Sequence, residues 1–90
     1  CTGCDLSWAP LADKDLTRAK LDGANLRCAD LRNTVLRMAD LAKANLSCAD
    51  LSFANLEAAD LFGADLTEAK VDGTVFDGAY LSEAALGATL

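Results

Sequence analysis

The stretch "CADLSFANLEAADLFGADLT", residues 48–67, repeats one pattern every five residues: a small residue, Asp or Asn, Leu, then two variable positions. Followed outward in both directions, the register holds along nearly the whole chain. Of the 17 positions taken in fives from Leu6 to Leu86, 15 are Leu, and the others are Val71 and Phe76. Two residues before these centres 13 of 17 are Ala, and one before them ten of 17 are Asp or Asn. Three linked columns kept over that length make the period itself the fold signal.

A period of five suits neither regular element. On an α-helix five residues advance by roughly 500°, so the leucines would spiral around the surface without forming a face. On a flat strand an odd spacing sends successive leucines to opposite faces. All of them point inward only if the backbone turns after each unit, so that every five residues form one side of a coil. The Ala two places earlier then points inward as well, and small Ala beside large Leu fills a narrow tube. The intervening Asx faces outward and suits the turn, because its side chain hydrogen-bonds nearby backbone.

The tandem units "CADLR", "MADLA", "KANLS", "CADLS", "FANLE", "AADLF" and "GADLT" follow A(D/N)LXX, and in this the chain resembles the pentapeptide-repeat proteins over essentially its whole length. The resemblance implies an all-β fold, a right-handed quadrilateral β-helix with four pentapeptides per coil. Twenty residues per coil gives about four and a half coils. At the ~4.8 Å spacing of neighbouring strands the tube would be about 20 to 25 Å tall. Main-chain ladders and a dry Leu/Ala interior would hold it together, each coil touching only its neighbours.

Residues 1–90 therefore read as a single repeat domain. Ninety residues allow one small domain, and no run approaches the roughly 18 apolar residues of a membrane span. Neither end shows a polar cap, and the chain starts at Cys1 rather than Met. Our expectation is a domain excised or processed from a longer chain, with end-to-end or side-to-side self-association as the alternative use of open strand edges. The family is abundant in cyanobacteria and also found in chloroplasts. The resemblance thus suggests such an origin for a soluble segment, with the compartment open.

Charge is uneven along the chain. The net charge is −6, but residues 1–45 hold seven Lys/Arg against six Asp/Glu, whereas residues 46–90 hold one Lys against eight. An acidic half argues against direct nucleic-acid binding through phosphate neutralisation. Catalysis has no support either. There is no histidine, no Ser with a base at a defined spacing, and no glycine-rich phosphate loop, the six glycines reading as scattered. The carboxylates recur as the outward Asx of each repeat, so pairing two of them as acid and base would be arbitrary. We expect no enzyme activity, no catalytic residues, no cofactor and no metal site.

With four units per coil, residues 20 apart stack. The first side runs through Leu6, Leu26, Leu46, Leu66 and Leu86, the second through Leu11, Leu31, Leu51 and Val71. The third runs through Leu16, Leu36, Leu56 and Phe76, and the fourth through Leu21, Leu41, Leu61 and Leu81. The third side departs most from the pattern. Its small inward position reads Lys14, Thr34, Ala54 and Thr74, and two of its outward Asx positions are Val35 and Val75. A lysine aimed into the tube is costly unless it escapes through the open end of the first coil.

Phe53, on the adjoining edge, falls at the level between the two valines, and Met38 lies on their side. Val35, Phe53, Val75 and Met38 are therefore the candidate partner-binding surface. Arg27, Arg32 and Arg37 occupy one outward slot on three successive sides and read as solvated charges partnered by nearby Asp. Trp8 heads an outward column continued by Cys28, Cys48 and Glu68.

"CTGC" at residues 1–4 has the spacing of a redox motif, and such spacing raises a metal question too. The register reads it differently. Cys1 falls at a centre position and Cys4 at the small inward one, so the motif becomes an imperfect first rung; only a strained or frayed first coil lets the two meet. Cys28 and Cys48 face outward in adjacent coils. A Cβ spacing of about 4.8 Å exceeds the usual 3.5–4.5 Å of a disulfide, so free thiols are expected. Four sulfurs so placed cannot converge on one tetrahedral metal.

Three functions follow for weighing. The leading one is a non-enzymatic structural module that presents flat solenoid faces to an unidentified protein partner. The alternative borrows from the gyrase-inhibiting branch of the family, whose members resemble DNA in shape and acidity; those favour Phe at the centre, are longer, and dimerise. A thiol-based redox or metal site is the third.

Overall fold

The structure, a computed structural model, describes residues 1–86. Each five-residue unit closes a tight turn, and the unit at Asn45–Ala49 shows where its five N–H groups go. Asn45 N–H donates to the Ala24 carbonyl of the preceding coil at 2.9 Å, while Leu46 and Cys48 donate to Asp65 and Thr67 of the following coil at 2.7 and 3.0 Å. Ala49 N–H closes the turn on the Leu46 carbonyl at 3.1 Å. The fifth, Ser47 N–H, goes to the side-chain Oδ1 of Asn45 at 3.0 Å. The repeat's Asx is thus the acceptor for the one amide that neither ladder nor turn can serve.

The turn bond, with positive φ at its third residue, is type II geometry. Every such corner from Gly3 to Glu83 is left-handed, 12 of them occupied by residues other than glycine and five by Gly3, Gly23, Gly63, Gly73 and Gly78. A side chain there costs roughly 1 kcal/mol or more, a cost the inter-coil ladder offsets. Five of the six glycines that read as scattered therefore share one structural position, and the sixth, Gly87, lies outside the described residues. These five relieve corners that other residues occupy at a modest cost.

Parallel bridges pair each outward Asx position with the one 20 residues later, from Asp5↔Asn25 to Asp65↔Ala85. This is the four-sided, right-handed β-helix the resemblance implied. The molecule measures 26 × 23 × 23 Å. Leucines from Leu21 to Leu66 and alanines from Ala24 to Ala69 form the buried interior, whereas Leu6, Leu11, Leu16, Val71, Phe76, Leu81 and Leu86 pack against it half-buried. Burial of a leucine, worth about 1.5–3 kcal/mol, is complete only where coils lie on both sides.

The third side's exceptions are accommodated. Thr34 is fully buried, yet its hydroxyl donates to the Leu11 carbonyl at 3.0 Å, and Thr74 does the same to Leu51 at 2.7 Å. The turn bonds closed by Lys14, Thr34 and Thr74 lengthen to 3.3, 3.2 and 3.2 Å, against about 3.0 Å where Ala fills the site. Lys14 is exposed, having left the tube at the first coil.

Candidate functional site

Because the interior is filled by aliphatic side chains and every buried side-chain polar atom among the described residues has a partner, chemistry is confined to the outward positions. No pocket is formed, and no group of three or more Cys, Asp or Glu is placed to hold a metal among the described residues. None of the helices that could cross a membrane is present there either.

The four residues of the candidate surface differ in exposure and surroundings. Phe53 stands at a left-handed corner, 66% exposed, and its ring leans over Gly73 of the next coil. A Cβ at Gly73 would lie 2.6 Å from the ring's Cδ1, so glycine is what lets the ring lie there. Gly73 leads two residues on to Val75, itself 40% exposed. Val35 sits two coils above Val75 with Asn55 bridged between them. Met38 is half-buried, its sulfur 3.9 Å from the Arg18 guanidinium. Phe53 thus stands at the coil level between Val35 and Val75, with its ring turned toward Gly73.

A second aromatic pair was not anticipated. Phe62 and Tyr80 stack on the fourth side with centroids 6.1 Å apart and planes inclined by 11°. They follow Leu61 and precede Leu81 respectively, so they are diagonal neighbours across adjacent coils. A separation of 18 residues, two short of the coil period, was the available signal.

Two of the three belt arginines pair with carboxylates. Arg32 grips both oxygens of Asp30 through Nε and a terminal nitrogen, each at 2.8 Å. That hydrogen bond holds the Asp30 carboxyl below its usual range and raises the guanidinium in turn. Arg37 reaches down one coil to Glu57 at 2.7 Å. Hydroxyls do the same for Asp5, Asp15 and Asp65. Ser7 and then its own N–H lower Asp5, and Thr17 and its N–H lower Asp15. For Asp50 burial pushes upward, but the Ser52 hydroxyl and N–H carry it below the ordinary value.

Arg27 departs from the expectation. Its guanidinium lies 3.1 Å from the sulfur of Cys28, and among the described residues it makes no ion pair. The cysteines also depart from it: Cys28 is bonded to Cys48, and Cys1 to Cys4. Free thiols were expected from the full spacing of flat strands, but at the corner the Cys28 and Cys48 Cα atoms approach to 4.4 Å, the near limit of about 4.4–6.8 Å for a disulfide. The register of the opening motif holds, since Cys4 N–H closes a regular turn on the Cys1 carbonyl at 3.1 Å with Gly3 at its left-handed corner. In every such turn the first and fourth side chains both face inward. Two cysteines there, with Cα atoms 5.5 Å apart, are neighbours without any fraying of the coil.

Comparison with known proteins agrees with this architecture. The family model described as pentapeptide repeats matches residues 1–37, 24–61 and 59–88, with eight copies. A pentapeptide repeat protein from Nostoc, known from its crystal structure, is 41% identical over 83% of this chain, with a TM-score of 0.82. The match takes in 62% of that protein, so the chain spans under two thirds of its length. HetL from Nostoc, a pentapeptide repeat protein involved in heterocyst differentiation regulation, is 31% identical over 92% of this chain and 49% of its own, at a TM-score of 0.47. One from the Arabidopsis thaliana thylakoid lumen is 31% identical over 92% of this chain and 65% of its own, at 0.42. No curated protein sequence matches the chain.

Proposed function

Since the chain belongs to the pentapeptide-repeat family, we propose that it is a non-enzymatic interaction module whose rigid, flat sides dock a protein partner. The observation that carries this reading is the exposed Phe53 ring, held over Gly73, with Val75 also exposed on the third side. Large apolar groups held in place by a hydrogen-bonded backbone lose little freedom when covered, which favours association. Val35 and Met38 extend the surface along the third side. Cyanobacterial origin is supported by the identity with the Nostoc protein.

The test is a comparison of wild type with Phe53→Asp, by light scattering and by capture of proteins from a cyanobacterial lysate. A protein retained by the wild type and released by the variant, with both chains of equal mass in solution, is the expected result. Identical captures would remove Phe53 from the interface. A change of mass alone would make a second copy of the chain the partner.

The acidity of residues 46–90 supports a second reading, a DNA-like rod that blocks a type II topoisomerase. Asp30 is bridged to Asp50 and Asp40 to Asp60, giving carboxylates stacked at the coil spacing. Inhibition of gyrase supercoiling at micromolar concentration would favour it over the first, and an unaffected gyrase would end it.

A further inference from the structure

We propose that Cys28–Cys48 is a thiol–disulfide exchange site with fixed polarity, in which Cys48 is the sulfur attacked and Cys28 the one that leaves. This goes beyond the docking reading and does not depend on it. The two cysteines occupy one corner column of the first side and differ in surroundings. Cys48 is exposed, whereas Cys28 is half-buried with the Arg27 guanidinium 3.1 Å from its sulfur.

The local sequence leaves Arg27 available for that contact. On the next two sides the arginine in the same slot pairs with a carboxylate, Asp30 for Arg32 and Glu57 for Arg37. Around Arg27 the equivalent positions are neutral: Asn25 precedes it, and Asn45 and Ser47 lie one coil on. A guanidinium beside a sulfur favours its thiolate, and a leaving thiol of lower pKa departs faster.

The co-reactant is a dithiol. One of its thiolates bonds to Cys48 Sγ as the Sγ–Sγ bond breaks, and the electron pair leaves on Cys28 Sγ beside Arg27. The dithiol's second thiolate then attacks its own sulfur in the mixed disulfide and releases Cys48 as thiolate. Two electrons pass to the protein, the dithiol becomes a disulfide, and its two protons pass to solvent or to the freed thiolates. Both corners keep their ladder bonds, Cys28 N–H to Ser47 at 2.9 Å and Cys48 N–H to Thr67 at 3.0 Å. The coil therefore remains formed in the reduced state, ready to be reoxidised.

Two measurements on the full 90-residue chain test this. With excess glutathione followed by acid quench and tryptic mass mapping, the mixed disulfide is expected on Cys48; adduct predominantly on Cys28 overturns the polarity. With dithiothreitol and timed alkylation, Arg27→Gln should slow reduction of this pair by about threefold, because the leaving thiolate loses its neighbouring cation. Arg37→Gln, whose guanidinium faces Glu57, should leave the rate unchanged. An Arg27→Gln rate equal to wild type overturns the role of Arg27, and loss of the circular dichroism spectrum on reduction overturns the reversible site.

Discussion

Leu26 and Leu6 are the same residue at the same place in the repeat, on the same side of the tube, yet the first is fully buried and the second is not. The central coils, residues 21–66, carry a buried Leu/Ala interior interrupted only at Thr34 among the described residues. The first coil and the last described one are built from the same units but stay partly open. In a solenoid, burial is set by the coils on either side more than by the unit's own sequence. This explains where the pattern is relaxed. Lys14 at a small inward site, and Val71 and Phe76 at centres, all fall in the outer coils. Thr34 is the one polar residue in the buried interior among the described residues, and its hydroxyl is bonded.

The largest effect expected from this contrast is a difference between two identical substitutions. Leu36→Ala in the central coils should cost about 2–5 kcal/mol, since the cavity is walled on all sides. Leu16→Ala, one coil nearer the open end on the same side, should cost roughly half as much, because neighbours and water can close on the gap. Urea denaturation of both variants measures this, and equal costs would break the link between position and burial.

A smaller difference separates two left-handed corners. Gly23→Ala meets nothing within 4 Å and should cost only the corner's backbone strain, about 1 kcal/mol. Gly73→Ala pays that strain and must also displace the Phe53 ring. It should therefore cost more, and should lose its excess in a Phe53→Ala background. A double-mutant cycle read by thermal melting checks this; additive costs would show that the ring does not rest on Gly73.

The smallest effect concerns acid. Asp5, Asp15, Asp30 and Asp65 all have folded-state values below the ordinary carboxylate, held there chiefly by Ser7, Thr17, Arg32 and Thr67. Their contribution to stability is complete above the unfolded value near pH 4 and is lost as pH falls through the lowered folded values. On the first side Asp5 and Asp65 flank Asn25 and Asn45, which hold the same turn position and do not titrate. The double variant Asp5→Asn with Asp65→Asn should flatten the fall of melting temperature below about pH 4. An unchanged slope would show that these turns contribute nothing to acid sensitivity.

The five-residue period was enough to place Leu26, Ala24 and Asn25 as centre, inner wall and outer turn, because burial and backbone satisfaction act on every unit alike. What lay outside it depends on departures from an ideal strand. The Cys28–Cys48 bond needs the 4.4 Å approach at a corner, which the flat-strand spacing of about 4.8 Å conceals. The tilt of Phe53 toward Gly73 depends on a missing Cβ one coil away. Arg27's contact with sulfur goes with neutral Asn25 and Ser47 where Arg32 and Arg37 meet Asp30 and Glu57, something no motif records. The candidate surface was legible as four apolar residues on or beside the third side, but not the unequal exposure that sets Phe53 apart from half-buried Val35 and Met38.

Val35 has one more consequence, visible in isotope exchange. Between residues 25 and 65 each outward Asx accepts from the amide two residues on, as Asn25 does from Arg27 and Asp60 from Phe62. Valine has no such acceptor, and the Arg37 amide has no protein partner among the described residues. In deuterated water Arg37 should exchange quickly amid slow central amides, and Val35→Asn should slow it to the rate of its neighbours. A single side chain would then act as a window through an otherwise sealed wall of amides, opened without unfolding any coil.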